Sequence, residues 1–267
     1  MLSHYIDGRL AQGKKFFTFQ EAMVQLGVSE GSLKSAVYRA KKKGALVSPL
    51  KGLYIIVAAE HRAFGCIPAE EAVVIIMDHL AVPYYAGLLT AAAYHGAAHQ
   101  RPMKYQVVSS YQARNDYIMG KLQIEMIFKK DIEHCPVNKR PVATGYLNVA
   151  SPELTAIDLI GYLDRVGGLN HAATVLAELV ESMNGYELID LAKRLGSVGQ
   201  LRRIGYLLEA VEVLEEDKRD EIVCILYDYL STQNLGYVPL ATELPAKGCI
   251  KNNRWKIIEN TVVESDL

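Results

Sequence analysis

A short basic stretch near the N-terminus carries the residue types that proteins use to bind DNA. Residues 29–43 read SEGSLKSAVYRAKKK. At about 100° per residue, one helical face collects Gly31, Ser35, Tyr38 and Lys42, flanked by Arg39. Hydroxyl groups can bind bases or phosphates, and an arginine guanidinium can bind a guanine edge through two hydrogen bonds. The predicted DNA-contacting residues are Ser32, Lys34, Ser35, Tyr38, Arg39, Lys42 and Lys43, with Lys51 beyond the helix.

Two other interpretations of this stretch stay open. Lys41, Lys42 and Lys43 could simply be solvated at a helix end, where positive charge also suits the helix dipole. The whole unit could alternatively dock onto a protein. The surrounding elements favour DNA, because two short helices joined by a tight turn with glycine are typical of a helix-turn-helix.

The elements around the basic stretch follow from local signals. Residues 3–12 are predicted to form a helix capped by Ser3. Thr18 and Glu21 have capping-box spacing, and Gly27 is placed to end the helix that they begin. Ser29 then caps the basic helix. After Gly44, residues 46–48 and 53–57 are predicted to be two strands joined by a turn with Lys51 at its tip, so that residues 16–57 form a winged helix-turn-helix.

The remaining residues predict a mostly helical α+β body with a small sheet. Residues 61–68 are expected to be a linker. Ser151-Pro152-Glu153 is a strong helix start, with a capping serine, proline at the first position and an acid in the first turn. The predicted helices are 69–80, 83–94, 151–159, 169–183, 186–195, 198–213 and 217–230, and the predicted strands are 105–109, 122–128, 142–149 and 255–258.

The fold class expected from these patterns is α+β. A DNA-binding domain at residues 1–60 is followed by a second domain at 61–267, which could itself divide into lobes of about 61–150 and 151–267.

Other candidate chemistries lack a complete set of residues. His95 and His99 are four apart, but Gly96 stands where a metalloprotease needs a glutamate. Glu125 and Asp131 could contribute to a metal-dependent nuclease, yet position 127 is isoleucine rather than lysine. Phosphate-loop, Rossmann and hydrolase motifs are absent from the sequence. We therefore predict no catalytic residue, no cofactor and no metal.

Two charged clusters have less specific interpretations. Lys193, Arg194, Arg202 and Arg203 form a second basic cluster, which could contact a phosphate backbone, a partner or only water. The run Glu212, Glu215 and Glu216 is expected to be a solvated face.

Composition and charge agree with a soluble DNA-binding protein. Net charge is −1, but residues 1–57 contain nine Lys or Arg against three Asp or Glu, which gives +6 and leaves −7 for the rest. Such asymmetry favours a nucleic-acid-binding module attached to another domain. The four cysteines are far apart, and no signal peptide is seen at the N-terminus, so a reducing cytoplasm is expected.

Several segments together resemble one family, the AbiEi antitoxins of type IV toxin–antitoxin systems, which occur in bacteria and their mobile elements. The resemblance spans nearly the whole chain. It rests on the winged helix ending in KGLYIIV, on PYYAGLLTAAAYHGAAHQRP at 83–102, SPELTAIDLI at 151–160, GGLNHAATVLAEL at 167–179 and NNRWKIIEN at 252–260.

The resemblance implies a non-enzymatic protein of two domains, connected with phage defence by abortive infection. In that family the N-terminal winged helix binds inverted repeats in the protein's own promoter and represses the operon. The C-terminal domain counteracts a nucleotidyltransferase-like toxin, AbiEii, and whether it does so by direct binding is open. The alternatives are a winged-helix regulator or interaction module unconnected to a toxin, and a metal-dependent nuclease.

Overall fold

The chain folds into an α+β structure with two compact units. The computed structural model describes residues 1–97 and 102–263. Unit 1 comprises Met1–Ala86, Met103–Glu133 and Lys139–Asn148, and unit 2 comprises Gly87–Pro102, His134–Asn138 and Val149–Leu267. The α+β class predicted from the sequence is confirmed. Where the chain divides into functional domains stays a prediction.

Unit 1 begins with a helix, a strand, two helices and a hairpin. In chain order these are α1 (Leu2–Ala11), β1 (Phe16–Thr18), α2 (Phe19–Leu26), α3 (Glu30–Lys42), β2 (Leu46–Val47) and β3 (Leu53–Ile56). The strands form an antiparallel sheet in the order β1-β3-β2. The helices and the hairpin agree with the predicted bounds to within about a residue, whereas β1 was not predicted.

Helix caps in this segment follow the local sequence with one exception. The Thr18 hydroxyl accepts a hydrogen bond from the Glu21 N–H, and the Glu21 carboxylate accepts one from the Thr18 N–H. Gly27 takes the left-handed conformation at φ +60°, and the Ser29 hydroxyl accepts from the Ser32 N–H. The prediction for Ser3 was wrong, because α1 starts one residue earlier with Met1 at the N-cap.

A small hydrophobic core joins the three helices to the sheet. Its buried residues are Leu2, Ile6, Phe17, Ala22, Leu33, Val37, Leu46 and Ile56. Phe17 packs edge-on against Tyr5, with ring centroids 5.3 Å apart. Every element of residues 1–57 contributes to this core, so α3 is held on a rigid base.

The segment after β3 is fixed within unit 1. The Lys15 ammonium group lies 2.5 Å from the Glu71 carboxylate, and the Lys121 N–H donates to the Phe64 carbonyl. Gly65 packs so closely on Gly120 that a Cβ on Gly65 would lie 2.8 Å from the Gly120 Cα. The predicted linker at residues 61–68 is therefore packed against the rest of the unit.

The larger sheet follows α4 (Ala69–Leu80), which agrees with its predicted bounds. Its six strands are β4 (Tyr84–Ala86), β5 (Tyr105–Ser109), β6 (Tyr117–Met119), β7 (Leu122–Phe128), β8 (Val137–Val142) and β9 (Gly145–Ala150), in the order β6-β7-β5-β4-β9-β8. β5 and β7 are parallel, whereas β4–β5 and β6–β7 are antiparallel.

Two predicted elements in this region need correction. The helix expected from residue 83 begins only at Leu88, because Tyr84, Tyr85 and Ala86 pair with β5 as a strand. The single strand expected at 142–149 is instead two strands, β8 and β9, separated by Ala143 and Thr144. β4 is a strand because β5 and β9, both distant in sequence, lie on either side of it, which local patterns do not reveal. β8 instead lies at the edge of the sheet beside β9, from which only two residues separate it.

Unit 2 consists of helices closed by a small sheet. The helices are α5 (Leu88–Tyr94), α6 (Pro152–Gly161), α7 (Leu169–Leu179), α8 (Gly185–Leu195), α9 (Val198–Ala210) and α10 (Glu216–Ser231), followed by β10 (Val238–Pro239), β11 (Ile250–Asn252) and β12 (Ile257–Glu259). α6 contacts α5, α7, α8 and α9, and eight of its ten residues are buried. The predicted Ser151 cap is confirmed, since its hydroxyl accepts from the Leu154 N–H.

The two units carry opposite net charges. Unit 1 contains 17 Lys or Arg and 11 Asp or Glu, a net of +6, whereas unit 2 contains 12 and 19, a net of −7. The positive charge of unit 1 comes from residues 1–57, because the rest of the unit contains eight Lys or Arg and eight Asp or Glu. No helix within residues 1–97 and 102–263 is long and apolar enough to cross a membrane.

The cysteines differ sharply in accessibility. Burial raises the pKa of the Cys66 thiol to about 12, whereas Cys224 is exposed. Because the thiolate is the reactive form, Cys66 is expected to resist iodoacetamide in the native protein at pH 8 while Cys224 is alkylated. Peptide mass spectrometry on a time course checks this, and labelling in urea gives the rate for the unfolded chain. Equal native rates at the two sites would contradict the burial of Cys66.

Candidate nucleic-acid interface

Helix α3 presents its polar face to solvent and its apolar face to the small core. Leu33 and Val37 are 1% and 4% exposed. All eight predicted DNA-contacting residues are exposed: Ser32, Lys34, Ser35, Tyr38, Arg39, Lys42, Lys43 and Lys51. The structure therefore brings the seven helix residues together on one accessible surface, which we call the α3 surface. Their role in binding DNA stays a prediction.

The cations of the α3 surface differ in how far they are already paired. Lys34 Nζ lies 2.5 Å from a Glu30 carboxylate oxygen, and Lys34 holds the pKa of that exposed carboxyl below its usual value. Arg39, Lys42 and Lys43 have no ion-pair partner among residues 1–97 and 102–263. These three cations are the ones available to a polyanion without breaking an existing pair.

Tyr38 and Lys42 form a local pair on this surface. Lys42 Nζ lies 5.1 Å from the centroid of the Tyr38 ring. Tyr38 is 59% exposed. A cation over an aromatic face is weakly stabilised at an exposed site. The contact therefore orients the ammonium group without removing it from solvent.

The hairpin of β2 and β3 is held by hydrogen bonds at its turn. Gly52 has φ +84°, its carbonyl accepts a 2.7 Å hydrogen bond from the Phe19 N–H, and the Ser48 hydroxyl donates to the Leu50 carbonyl. The Phe19 N–H belongs to the first turn of α2, so the turn that carries Lys51 is fixed to the helices. Lys51 itself is exposed at the tip, as the sequence predicted.

The metal and nuclease candidates do not assemble into a site among the described residues. His95 caps the end of α5, and its Nε2 lies 2.7 Å from the Ala150 carbonyl oxygen, which is a structural role. His99 lies outside the described residues. Glu125 is buried, and its carboxylate accepts a hydrogen bond from the Gln106 amide at 3.0 Å. Within residues 1–97 and 102–263, no three His, Cys, Asp or Glu side chains are grouped as a metal site requires.

The second basic cluster divides into two parts with different environments. Lys193 and Arg194 are exposed, and Arg194 pairs with Asp190. Arg202 and Arg203 are only 3% and 8% exposed. Arg202 donates to the carbonyls of Trp255, Gly236 and Lys256, and Arg203 to those of Pro239 and Leu240. These two arginines fix the sheet of β10, β11 and β12, so they are not available to a phosphate backbone.

The glutamate run at 212, 215 and 216 is exposed, as predicted.

Comparison with known families identifies the central part of the chain. Residues 85–210 match the family model of the AbiEi antitoxin C-terminal domain. The chain carries an AbiEi antitoxin domain. This finding confirms the family predicted from the sequence and supports an antitoxin role, for which a toxin is the implied functional partner. The domain begins in β4 and ends with α9, so it draws on both compact units.

Solved structures extend the likeness of fold beyond the AbiEi domain. The RV2827C protein of Mycobacterium tuberculosis aligns with a TM-score of 0.59 at 14% identity, covering 96% of this chain and 90% of that one. At such identity the likeness concerns the fold alone. An antigenic nucleotidyltransferase-like protein from Paracoccidioides brasiliensis has a TM-score of 0.30 at 9% identity, covering 55% and 93%, which is too low to indicate a shared fold. No curated protein matches the chain by sequence.

Proposed function

We propose that this AbiEi protein is the antitoxin of a type IV toxin–antitoxin system and also a DNA-binding repressor of its own promoter. The observation that carries the DNA-binding part is the α3 surface, where Arg39, Lys42 and Lys43 are exposed without ion-pair partners among the described residues. The observation that carries the antitoxin part is the family domain at residues 85–210.

The arrangement of residues 1–57 supports a winged helix-turn-helix. Two helices, α2 and α3, are separated by a short turn containing Gly27, and the hairpin of β2 and β3 follows α3. In proteins of this type the second helix lies in the major groove. We assign α3 to the groove and Lys51 to the phosphate backbone beside it. Arg39 is the residue we expect to read a base, and the lysines contact phosphates.

Repression would require two copies of the protein on the operator. Inverted repeats present the same half-site twice in opposite orientations, so each copy places one α3 in one half-site. The two copies need not form a dimer in solution. DNA is thus the expected nucleic-acid partner, in the form of inverted repeats in the protein's own promoter.

The toxin expected beside this antitoxin is an AbiEii-like nucleotidyltransferase encoded by the neighbouring reading frame. The antitoxin would act in the cytoplasm and without catalysis of its own. In a phage-defence setting, its repression would limit toxin synthesis, while its C-terminal domain would oppose toxin already made.

The DNA-binding part is tested by a gel shift with DNA from upstream of the coding sequence. The expected result is a shifted complex that prefers this DNA over a shuffled sequence and weakens steeply between 50 and 200 mM salt, because bound lysines and arginines release counterions from DNA. Binding that ignores both sequence and salt would overturn the assignment of α3. In that case, a winged helix used for protein docking becomes the better account.

The two activities are separable by point variants of the full chain. Cutting after residue 57 would divide compact unit 1 and break the Lys15–Glu71 pair, so truncation is a poor test. Arg39→Ala with Lys42→Ala should abolish repression of a promoter reporter while cells expressing the toxin are still rescued. Loss of both activities at normal protein levels would contradict separate roles for α3 and the AbiEi domain. Metal-stimulated DNA cleavage would instead favour the nuclease alternative.

A further inference from the structure

A second basic surface lies at the end of unit 2, far in sequence from α3. Residues 250–259 form the hairpin of β11 and β12, which we call the basic hairpin, and its end, from Lys251 in β11 through the loop to Lys256, reads KNNRWK. These six residues include three cations, although unit 2 as a whole has a net charge of −7. Sequence patterns did not single out these cations, because charges in a short loop are usually only solvated.

Buried side chains hold the end of the basic hairpin rigidly. Trp255 is 1% exposed, and its indole N–H donates to the Glu209 carboxylate at 2.6 Å. Buried Arg202 donates to the carbonyls of Trp255 and Lys256. Lys256 has φ +52°, a left-handed conformation that residues with a Cβ rarely adopt. Such a conformation persists only where the surrounding structure imposes it, and it is found preferentially at functional sites.

Two ammonium groups of the basic hairpin converge on one aromatic ring. Lys251 Nζ lies 5.0 Å and Lys256 Nζ 5.4 Å from the centroid of the Tyr237 ring, so the two charges are at most about 10 Å apart. Neither lysine has an ion-pair partner within the part of the chain that the structure describes. The Tyr237 hydroxyl donates to the Asn253 amide oxygen, which fixes the ring that both cations approach. Two like charges without ion-pair partners beside one fixed ring favour a bound anion.

A cavity adjoins the third cation of the basic hairpin. Arg254 lies over Tyr227, with its guanidinium carbon 4.3 Å from the ring centroid, and pairs with Glu209 at 2.7 Å. Arg254 and Tyr227 also line an open cavity of about 320 Å³, together with Arg219, Asp220 and Cys224. The cavity offers an aromatic ring and both donors and acceptors, which is what the edge and face of a nucleobase require.

We propose that the basic hairpin binds single-stranded nucleic acid, with phosphates on Lys251 and Lys256 and a nucleobase at the Tyr227–Arg254 cavity. Alternating cations and aromatic rings are typical of single-strand binding, because every base has a face that can stack. Duplex DNA would need a longer basic face than this acidic unit offers. An acidic protein is the alternative ligand. It would bind the cations, but its binding would not account for the cavity and its hydrogen-bonding groups.

The test uses the full chain with Arg39→Ala and Lys42→Ala, so that the α3 surface is weakened equally in the parent protein and in every variant. Binding of fluorescein-labelled 12-mers of uridylate and of deoxythymidylate is measured by fluorescence anisotropy between 50 and 200 mM salt. Lys251→Gln with Lys256→Gln should weaken binding at least tenfold. The slope of log K against log salt should become less negative by about 1.4, since each phosphate contact to a single strand contributes about 0.7.

Three comparisons make the result specific to the basic hairpin. Lys193→Gln is the matched control, because Lys193 lies 4.4 Å from the Tyr229 ring as a single lysine elsewhere in unit 2, and it should leave affinity unchanged. Lys256→Arg keeps the charge and should keep binding. If the Gln pair fails to fold, as shown by a lost thermal transition, Lys251→Glu alone replaces it and should also weaken binding at least tenfold.

The proposal is overturned if the parent protein binds neither 12-mer, or if the folded Gln variant binds as tightly as its parent. It is also overturned if polyglutamate or duplex DNA competes as well as the single strands, since the surface would then recognise charge alone. A preference for the ribose 12-mer would identify RNA as the source of the strand. Equal binding of both 12-mers would support a site that binds single-stranded RNA and single-stranded DNA alike. Because the parent protein and its variants share the same weakened α3 surface, differences between them are independent of promoter binding.

Discussion

Arg39→Ala is expected to relax the sequence preference of DNA binding, at a cost of roughly 1–3 kcal/mol at one base pair of each half-site. Arg39 is exposed on α3 and has no ion-pair partner among the described residues, so its guanidinium can bind a base edge through two hydrogen bonds. Competition gel shifts with operators altered one base pair at a time measure the effect. The variant should lose discrimination at one symmetric pair of positions and keep it elsewhere.

Lys42→Ala is the variant to compare with Arg39→Ala, because a phosphate contact carries no sequence information. It should weaken binding to all sequences alike and make the salt slope less negative by about 0.9 for the one phosphate released. Lys121→Ala is the control, since Lys121 is exposed in unit 1 at the turn between β6 and β7, outside α3. All three side chains are exposed, so thermal unfolding should be unchanged. If Arg39→Ala and Lys42→Ala act identically on every operator, Arg39 contacts phosphate rather than a base.

Local chemistry made the helix boundaries of the α3 region predictable. The reciprocal bonds of Thr18 and Glu21, the left-handed Gly27 and the Ser29 cap each depend on residues within four positions of one another. The polar face of α3 followed from the helical period alone, and its exposure is confirmed. DNA recognition itself is not a local property, because it requires a partner that the chain does not contain.

Short strands and buried cations were not predictable, because they depend on residues that are distant in sequence. Tyr84–Ala86 is a strand because β5 lies beside it, yet Pro83 and the alanines that follow favour a helix. Arg202 and Arg203 have the sequence pattern of a solvated basic pair. They are buried because carbonyls between residues 236 and 256 converge on them, more than 30 positions along the chain. Only the folded arrangement shows that these cations stabilise the sheet that carries the basic hairpin.

Gly205→Ala is expected to destabilise unit 2 more than any other small substitution considered. Gly205 lies in α9, and a Cβ at this position would be 2.2 Å from Cζ3 and 2.4 Å from Cη2 of Trp255. Trp255 cannot easily withdraw, because its indole N–H is bonded to Glu209, its backbone N–H to Asn252 and its carbonyl to Arg202. Overpacking of a well-packed core costs typically about 1–3 kcal/mol.

Alanine also has a higher helix propensity than glycine, which opposes the destabilisation by overpacking. A second glycine of α9 allows this effect to be measured without overpacking. Gly199 has Arg203 Nη1 at 3.6 Å as the nearest atom to an added Cβ, an ordinary contact. Gly199→Ala should therefore leave the free energy of unfolding unchanged or raise it by up to about 1 kcal/mol through helix propensity. Urea unfolding at 25 °C, followed by fluorescence of Trp255, the single tryptophan, compares the two variants directly. Gly205→Ala should unfold at lower urea and shift the native emission, because the ring must move. Equal midpoints and unchanged emission would show that Trp255 does not hold the basic hairpin against α9.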